Sequence, residues 1–230
     1  MIKTIKKETL PENCFFEKGI FFSDLHAGGN GDFNRKSFFK AYSWALKQGF
    51  EPQEFYFLGD IFDVTGAGKS LAKLMLIFPE LAKKVKLGLY LKGNHEGPIS
   101  ELAGILNIFG LYACHGHNIE WLFTGWRKPL GWLICSIAGI LERLGWKDID
   151  KTPADMNEQE YLSYYTDKVI PWANTIFEKE KNQLLITGHT HRPNIIKYDN
   201  DCILANCGDF VGHNTFIMIN NGMIKLMRVT

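Results

Sequence analysis

An α/β fold is predicted for this 230-residue chain by three features of its sequence. Short apolar runs of strand character alternate with stretches whose apolar residues recur every three or four positions, the pattern of a mostly parallel sheet with crossing helices. Five of the apolar runs stop at a short polar cluster rich in Asp, Asn and His. The last forty residues change character and read as short strands joined by tight turns.

Taken in order, the first run is Gly19-Ile20-Phe21-Phe22, which ends at Ser23 and leads to Asp24 and His26. A helix follows Asn34, a good N-cap residue, with Phe38, Phe39, Tyr42, Ala45 and Leu46 on one face up to Gly49. Phe55-Tyr56-Phe57-Leu58 is the next run and enters Gly59-Asp60-Ile61-Phe62-Asp63. Residues 70–86 carry a second helical pattern through Leu71, Leu74, Met75, Phe78 and Leu81, which Pro79 should bend or split. The run Leu87-Gly88-Leu89-Tyr90-Leu91 reaches Gly93-Asn94-His95-Glu96, and a shorter helix is expected from Pro98 to about Ile108. Leu111-Tyr112-Ala113-Cys114 opens into His115-Gly116-His117, and Leu184-Leu185-Ile186-Thr187 into Gly188-His189-Thr190-His191. Strands are expected over 194–198, 202–206, 215–219 and 225–229, and this antiparallel tail is expected to form a second sheet.

The polar clusters hold six of the seven histidines, each cluster at the carboxyl end of a strand, where α/β sheets place their ligands. On an extended strand end, residues i and i+2 point to one side, so Asp24 and His26 are expected to reach one ion together. Carboxylate, amide oxygen and imidazole make a mixed oxygen and nitrogen donor set, which suits divalent manganese, iron or zinc rather than the soft ions that thiolates select. Each cluster taken singly is also an ordinary turn; five in sequence read as a two-metal hydrolase.

Composition narrows the classes. A hydrophobic content of 46% is ample for a core, and motifs spread from residue 24 to 191 favour a single domain over 1–230. A formal charge of +1 provides no global field for nucleic acid. The five cysteines show no disulfide framework or zinc spacing and suit buried, reduced thiols in a cytoplasmic protein. The basic start is interrupted by Glu8, Pro11 and Glu12, so a secretory leader is not expected. The longest uncharged apolar stretch, residues 129–141, is shorter than the roughly 20 residues a spanning helix requires. Gly66-Ala67-Gly68-Lys69-Ser70 ends like a phosphate-binding loop, but the position of its leading glycine is Asp63.

The five motifs together resemble the calcineurin-like metallophosphoesterase superfamily over residues 24–209. The resemblance implies an α/β/β/α sandwich, two mixed sheets flanked by helices. It implies one divalent cation on Asp24, His26, Asp60 and His191 and a second on Asp60, Asn94, His115 and His189, with manganese the first choice and iron, zinc or magnesium the alternatives. His95, oriented by Asp63, would contact the phosphoryl group or the leaving oxygen. Arg192 and His117 are candidate substrate contacts, His117 with a supporting position behind the ligands as its alternative.

Between the fourth and fifth motifs lies a long insertion, residues 118–182, with five of the six tryptophans: Trp121, Trp126, Trp132, Trp146 and Trp172. Its apolar subsegment 121–146 is flanked by Arg127, Lys128, Arg143 and Lys147, a composition suited to a lipid interface, an acyl pocket or a helix packed in the core. With this insertion and the run Asn206-Cys207-Gly208-Asp209-Phe210, the chain looks like the branch containing UDP-2,3-diacylglucosamine pyrophosphatase. It departs from that enzyme in having His95 where the enzyme has Arg, and His117 where it has Asp. The expected reaction is hydrolysis of a phosphodiester or pyrophosphate bond in a small, nucleotide-sugar or lipid-linked substrate, with a peripheral membrane contact as one use of the insertion. A nuclease or a protein phosphatase with the same metal core is the alternative.

Overall fold

The computed structural model describes residues 1–29, 33–96, 102–120 and 156–230, together with Leu130, Leu133, Ile134, Ile137, Leu141 and Pro153. Among these residues, eleven strands form two sheets. The first has the order β1 (Ile2–Thr9), β11 (Met223–Val229), β10 (Thr215–Asn220), β2 (Lys18–Phe22), β3 (Phe55–Leu58) and β4 (Leu89–Leu91). The second has the order β5 (Ile105–Ile108), β6 (Leu111–Cys114), β7 (Leu184–Thr187), β9 (Ile203–Asn206) and β8 (Asn194–Lys197). In the first, parallel β2-β3-β4 form one half with β4 at the edge, and antiparallel β10, β11 and β1 extend the other side; in the second, parallel β6-β7-β9 are central between antiparallel β5 and β8.

Alternation along the central strands builds three hydrophobic layers. Ile20 and Phe22 of β2, and Phe55 and Phe57 of β3, face an outer core with Phe38, Ala41 and Tyr42 of helix α1 (Arg35–Lys47). Phe21 and Leu58 point the other way, into a core between the sheets shared with Leu111, Ala113, Leu184 and Ile186. Their strand neighbours Tyr112, Cys114 and Leu185 face the far side and pack on Tyr164, Val169, Ala173 and Phe177. These last come from a helical stretch of α5 (Glu158–Tyr164), a π-helical turn (Tyr165–Val169) and α6 (Ile170–Glu180). Period-two burial on both sheets, with a helix on each outer face, gives the expected α/β/β/α sandwich.

Local signals account for the helix ends. The Asn34 side chain accepts from the Ser37 N–H and caps α1. The pattern over 70–86 forms two helices, because Pro79 starts α4 (Pro79–Leu87) just after α3 (Leu71–Ile77) ends. Before them, Asp63 caps the single-turn α2 (Val64–Ala67), and Ser70 caps α3. The Gly66–Ser70 run is thus used in turns and caps.

Two expectations are corrected. The helix expected from Pro98 to Ile108 is not formed over its second half: Ile105–Ile108 is strand β5, joined to β6 by the two-residue turn Phe109-Gly110, both at positive φ. That geometry is the I′ turn of a tight hairpin, and it forces an exposed aromatic residue into a left-handed conformation. The tail does not make a sheet of its own either. β8 and β9 complete the second sheet, while β10 and β11 cross to the first. Of the insertion, residues 158–180 cover the second sheet, and Trp172 packs against that layer. Trp121, Trp126, Trp132 and Trp146 lie outside the described residues. No helix among the described residues is long and apolar enough to cross a membrane. Cys14, Cys114, Cys202 and Cys207 are buried free thiols, and burial pushes the Cys114 thiol up to about 12.

Candidate metal centre

At the carboxyl ends of the parallel strands, along one rim of the stacked sheets, the polar clusters converge. The His115 ring nitrogen Nδ1, at the end of β6, lies 2.8 Å from the Leu58 carbonyl at the end of β3. Gly188, beyond β7, sits so close to the first sheet that a Cβ there would fall 1.8 Å from Ser23 Oγ and 2.3 Å from Asp24 Oδ2. Only glycine closes the seam at that distance.

Across the seam the candidate ligand atoms crowd together. Asp24 Oδ1 lies 3.2 Å from His191 Nε2 and 3.8 Å from His26 Nε2, and the two histidine nitrogens are 3.2 Å apart. Asp60 Oδ2 lies 3.0 Å from His115 Nε2, which is also 3.0 Å from Asn94 Oδ1 and 3.9 Å from Asp24 Oδ1. Three cation-sized groups result, Asp24-His26-His191, Asp24-Asp60-His115 and His26-Asp60-His95. They overlap through the two carboxylates, as a pair of adjacent cations sharing ligands would require. His189 lies beside them, its ring centroid 5.2 Å from that of His115 and its backbone N–H donating to Asp24 Oδ2.

The backbone reaches this arrangement differently from the extended strand end the sequence suggested. Asp24, His26, Asp60, His189 and His191 all have φ between 50° and 68°, half of the ten non-glycine residues at positive φ among the described residues. Left-handed backbone is costly for such side chains and concentrates at functional sites. Here it folds the chain back at each strand end, so that Asp24 and His26 converge by turning.

Charge explains the protonation of the metal-free site. Burial works against a proton on His115, yet the carboxylates of Asp60 and then Asp24 outweigh it and push the imidazole up to about 9. His191, buried but beside Asp24 and Asp209, is pushed up to about 10. Burial likewise opposes ionisation of Asp24 and Asp60, and the positive imidazoles facing them still hold both below the usual carboxylate range. His189 is the exception: burial, then repulsion from His115 and His117, keep it neutral. Its Nε2 is buried without a hydrogen-bond partner. An orphaned neutral imidazole beside two ionised carboxylates and an amide oxygen fits a divalent cation of the manganese, iron or zinc class.

His95 occupies the rim. Its Nδ1 is 2.9 Å from Asp63 Oδ1 and its Nε2 4.0 Å from Asp60 Oδ2, so one ring nitrogen is anchored and the other faces the cluster. Burial is outweighed by the charges of Asp60 and Asp63, and the ring is pushed up to about 10. His117 begins a 3₁₀ turn with its ring 5.6 Å from that of His115. The Arg192 guanidinium stacks on the Tyr161 ring and donates to the Met156 carbonyl, which joins it to the returning helical stretch.

Two residues without a role in the sequence reading organise the site. Glu96 is fully buried, and its carboxylate accepts from the backbone N–H groups of Asp60, Ile61, Phe62 and Gly93 and from the Tyr90 hydroxyl. It clips together the loops that carry Asp60 and Asn94. Asp209 lies beyond β9 with Oδ2 3.6 Å from His191 Nδ1 and 2.7 Å from His213 Nδ1, while its Oδ1 accepts from Val211, Gly212 and His213 N–H. The only sequence signals were the acid directly after His95 and the Gly208-Asp209 break after a strand.

A family model described as calcineurin-like phosphoesterase matches residues 19–193. Among solved structures, the chain is similar to a dimetal phosphatase from Danio rerio, at 10% identity over 93% of this chain and 96% of that one, with a TM-score of 0.52. It is also similar to Vps29 complexed with zinc from Entamoeba histolytica, at 15% identity, 87% and 84% coverage and a TM-score of 0.44. An archaeal phosphodiesterase aligns at 13% identity, 89% and 93% coverage and a TM-score of 0.44. At these identities the likeness is one of fold. No curated protein matches the chain in sequence.

Proposed function

The chain belongs to the calcineurin-like phosphoesterase family and is a metal-dependent phosphoesterase, and from that premise we propose that it hydrolyses a phosphodiester or pyrophosphate bond. The observation that carries this reading is the overlap of three cation-sized groups through Asp24 and Asp60, with His95 poised at their edge. In this reading Asp24, His26, Asp60 and His191 hold one divalent cation, manganese by preference, and Asp60, Asn94, His115 and His189 hold the other. The cations, when bound, supply the charge that neutralises phosphoryl oxygens and acidifies a water molecule near neutral pH. The His115 Nδ1–H donates to the Leu58 carbonyl, which leaves Nε2 free to act as a ligand.

His95 supplies the proton. Asp63 holds its Nδ1–H, so the other ring nitrogen, Nε2, faces the cluster as the proton donor to the leaving oxygen. An alkoxide leaving from a phosphodiester is basic enough to gain from such a donor. Arg192 and His117 are proposed as outer contacts, Arg192 acting through the segment it braces.

A lipid-linked substrate is favoured by the described part of the insertion. Leu130, Leu133, Ile134 and Ile137 fall at the i, i+3, i+4, i+7 spacing of one helix face and are 38–56% exposed. The test uses metal-stripped protein, with Mn, Zn, Fe or Mg restored singly, assayed on monoester, diester, nucleotide-sugar and lipid-linked pyrophosphate substrates. Restored cleavage of the diester and pyrophosphate is expected. Cleavage of monoesters or phosphoproteins alone would overturn the reading. Leu133→Ser with Ile137→Ser should weaken only the lipid-linked reaction, and equal loss on a small soluble diester would remove the lipid assignment.

A further inference from the structure

The outer face of α3 and α4 combines exposed apolar side chains with exposed lysines, and the chemistry at the metal centre makes no use of it. Leu76 is 82% exposed, and Ile77 and Leu87 are each nearly half exposed. Met75, Leu76, Pro79 and Ala82 line an open groove of about 560 Å³, with Lys83 and Lys86 at its rim.

Charge is concentrated here as well. Residues 69–87 carry five lysines against one acid, Glu80, in a chain whose formal charge is only +1. Glu80 is occupied by Arg35 at 2.8 Å, and Lys84 turns inward over the Tyr42 ring. Lys73, Lys83 and Lys86 are left on the exposed side, around the apolar ridge.

We propose that the α3–α4 face is a peripheral docking surface for an anionic phospholipid layer, Leu76, Ile77 and Leu87 entering the acyl boundary and Lys73, Lys83 and Lys86 meeting the headgroups. An apolar ridge ringed by lysines is the composition of an interfacial helix. A second copy of the chain is the weaker occupant, since an isologous contact would bring the lysines of one copy against those of the other. A polynucleotide would attract the lysines but gains nothing from a ridge of leucine and isoleucine.

Leu74 and Phe78, on the inner side of the same helices, pack directly against Gly28, two residues beyond His26. A layer bound to the outer side would lie one helix away from the loop that carries His26. The proposal rests on this surface alone and holds whatever bond the enzyme cleaves.

The experiment is co-sedimentation of the full chain with vesicles of phosphatidylcholine containing phosphatidylglycerol, and with vesicles of phosphatidylcholine alone. Binding to the anionic vesicles only, weakened by salt, is expected. The Lys73→Gln, Lys83→Gln, Lys86→Gln triple variant should partition on the order of 100-fold less. Leu76→Ser with Ile77→Ser should lower binding even at low salt, and both variants should keep the wild-type melting temperature and turnover of a soluble diester. The proposal is overturned by absence of binding to anionic vesicles, or by binding that survives both variants and is lost on Leu133→Ser with Ile137→Ser. Dimerisation that the α3–α4 variants abolish, without vesicle binding, would assign the face to a second copy instead.

Discussion

On the first-sheet side of the seam, the loops bearing Asp60 and Asn94 are tied by Glu96 to four backbone N–H groups and a tyrosine hydroxyl, and His95 is anchored on Asp63. On the second-sheet side, His189 has a bare Nε2, and His191 stands between Asp24 and Asp209 at 3.2 and 3.6 Å. The carboxylate side is fixed before any cation arrives. On the histidine side His115 is anchored on the Leu58 carbonyl, while His191 is positioned by charge and His189 Nε2 has no hydrogen-bond partner among the described residues. A centre built this way has one rigid template and one adaptable clamp.

The largest effect expected from breaking this contrast is at Asp60, which serves both sides. Asp60→Ala should lower turnover on the order of 1,000-fold, about 4 kcal/mol of transition-state stabilisation, with metal content per chain falling in elemental analysis. Wild-type turnover in that variant would remove the shared-ligand assignment. His95→Ala should cost on the order of 100-fold or more in kcat while both metals stay bound, because its proposed task is proton transfer. If elemental analysis shows metal loss there, His95 is a ligand.

Two further variants separate template from clamp. Glu96→Ala leaves buried N–H groups without an acceptor, at about 1–3 kcal/mol each, and should appear first as a lowered melting temperature of the metal-free protein. Asp209→Asn should leave the melting temperature of that form less changed and weaken metal affinity roughly 10–100-fold in a chelator competition. The reverse pattern would exchange the roles of the two sides.

The smallest effect is on pH. His95, His115 and His191 have metal-free pKa values raised to about 10, 9 and 10 from an ordinary value near 6.5. Their contribution to stability is therefore fully present below about pH 6.5 and is lost as pH rises through 9 to 10. Melting temperature of the metal-free protein should fall across that window. Cation binding should release protons at pH 7.5, measurable by calorimetry in buffers of different ionisation enthalpy, and affinity should rise with pH. No proton release would mean the ligating imidazoles are already neutral.

The central strands were readable because each is an apolar run cut off by a polar cluster, and the candidate site was readable because those breaks carry residue types able to bind a cation. What escaped did so for physical reasons. Strand β1 reads Ile-Lys-Thr-Ile-Lys-Lys, the charged pattern of a sheet edge, and its partner β11 lies at the far end of the chain. β5 was masked by helix-like spacing and a hairpin turn with phenylalanine in a place that favours asparagine or glycine. The tail strands carry no local mark of which sheet they join. Glu96 and Asp209 act on residues brought to them by folding, a relation that no spacing encodes.

The left-handed backbone at Asp24, His26, Asp60, His189 and His191 has a consequence for how this protein can change over generations. Relaxing one such position to glycine recovers about 1–3 kcal/mol, less than the roughly 3–5 kcal/mol lost when Asp24 or Asp60 leaves a buried charged imidazole unpaired. Selection for thermal stability alone, applied without metal, therefore keeps the two carboxylates and gives way first at His189, whose Nε2 has no hydrogen-bond partner among the described residues. A library screened only for heat resistance should accept substitution at His189 before any at Asp24 or Asp60. Keeping the fold and keeping the catalyst pull together at the two carboxylates and apart at His189.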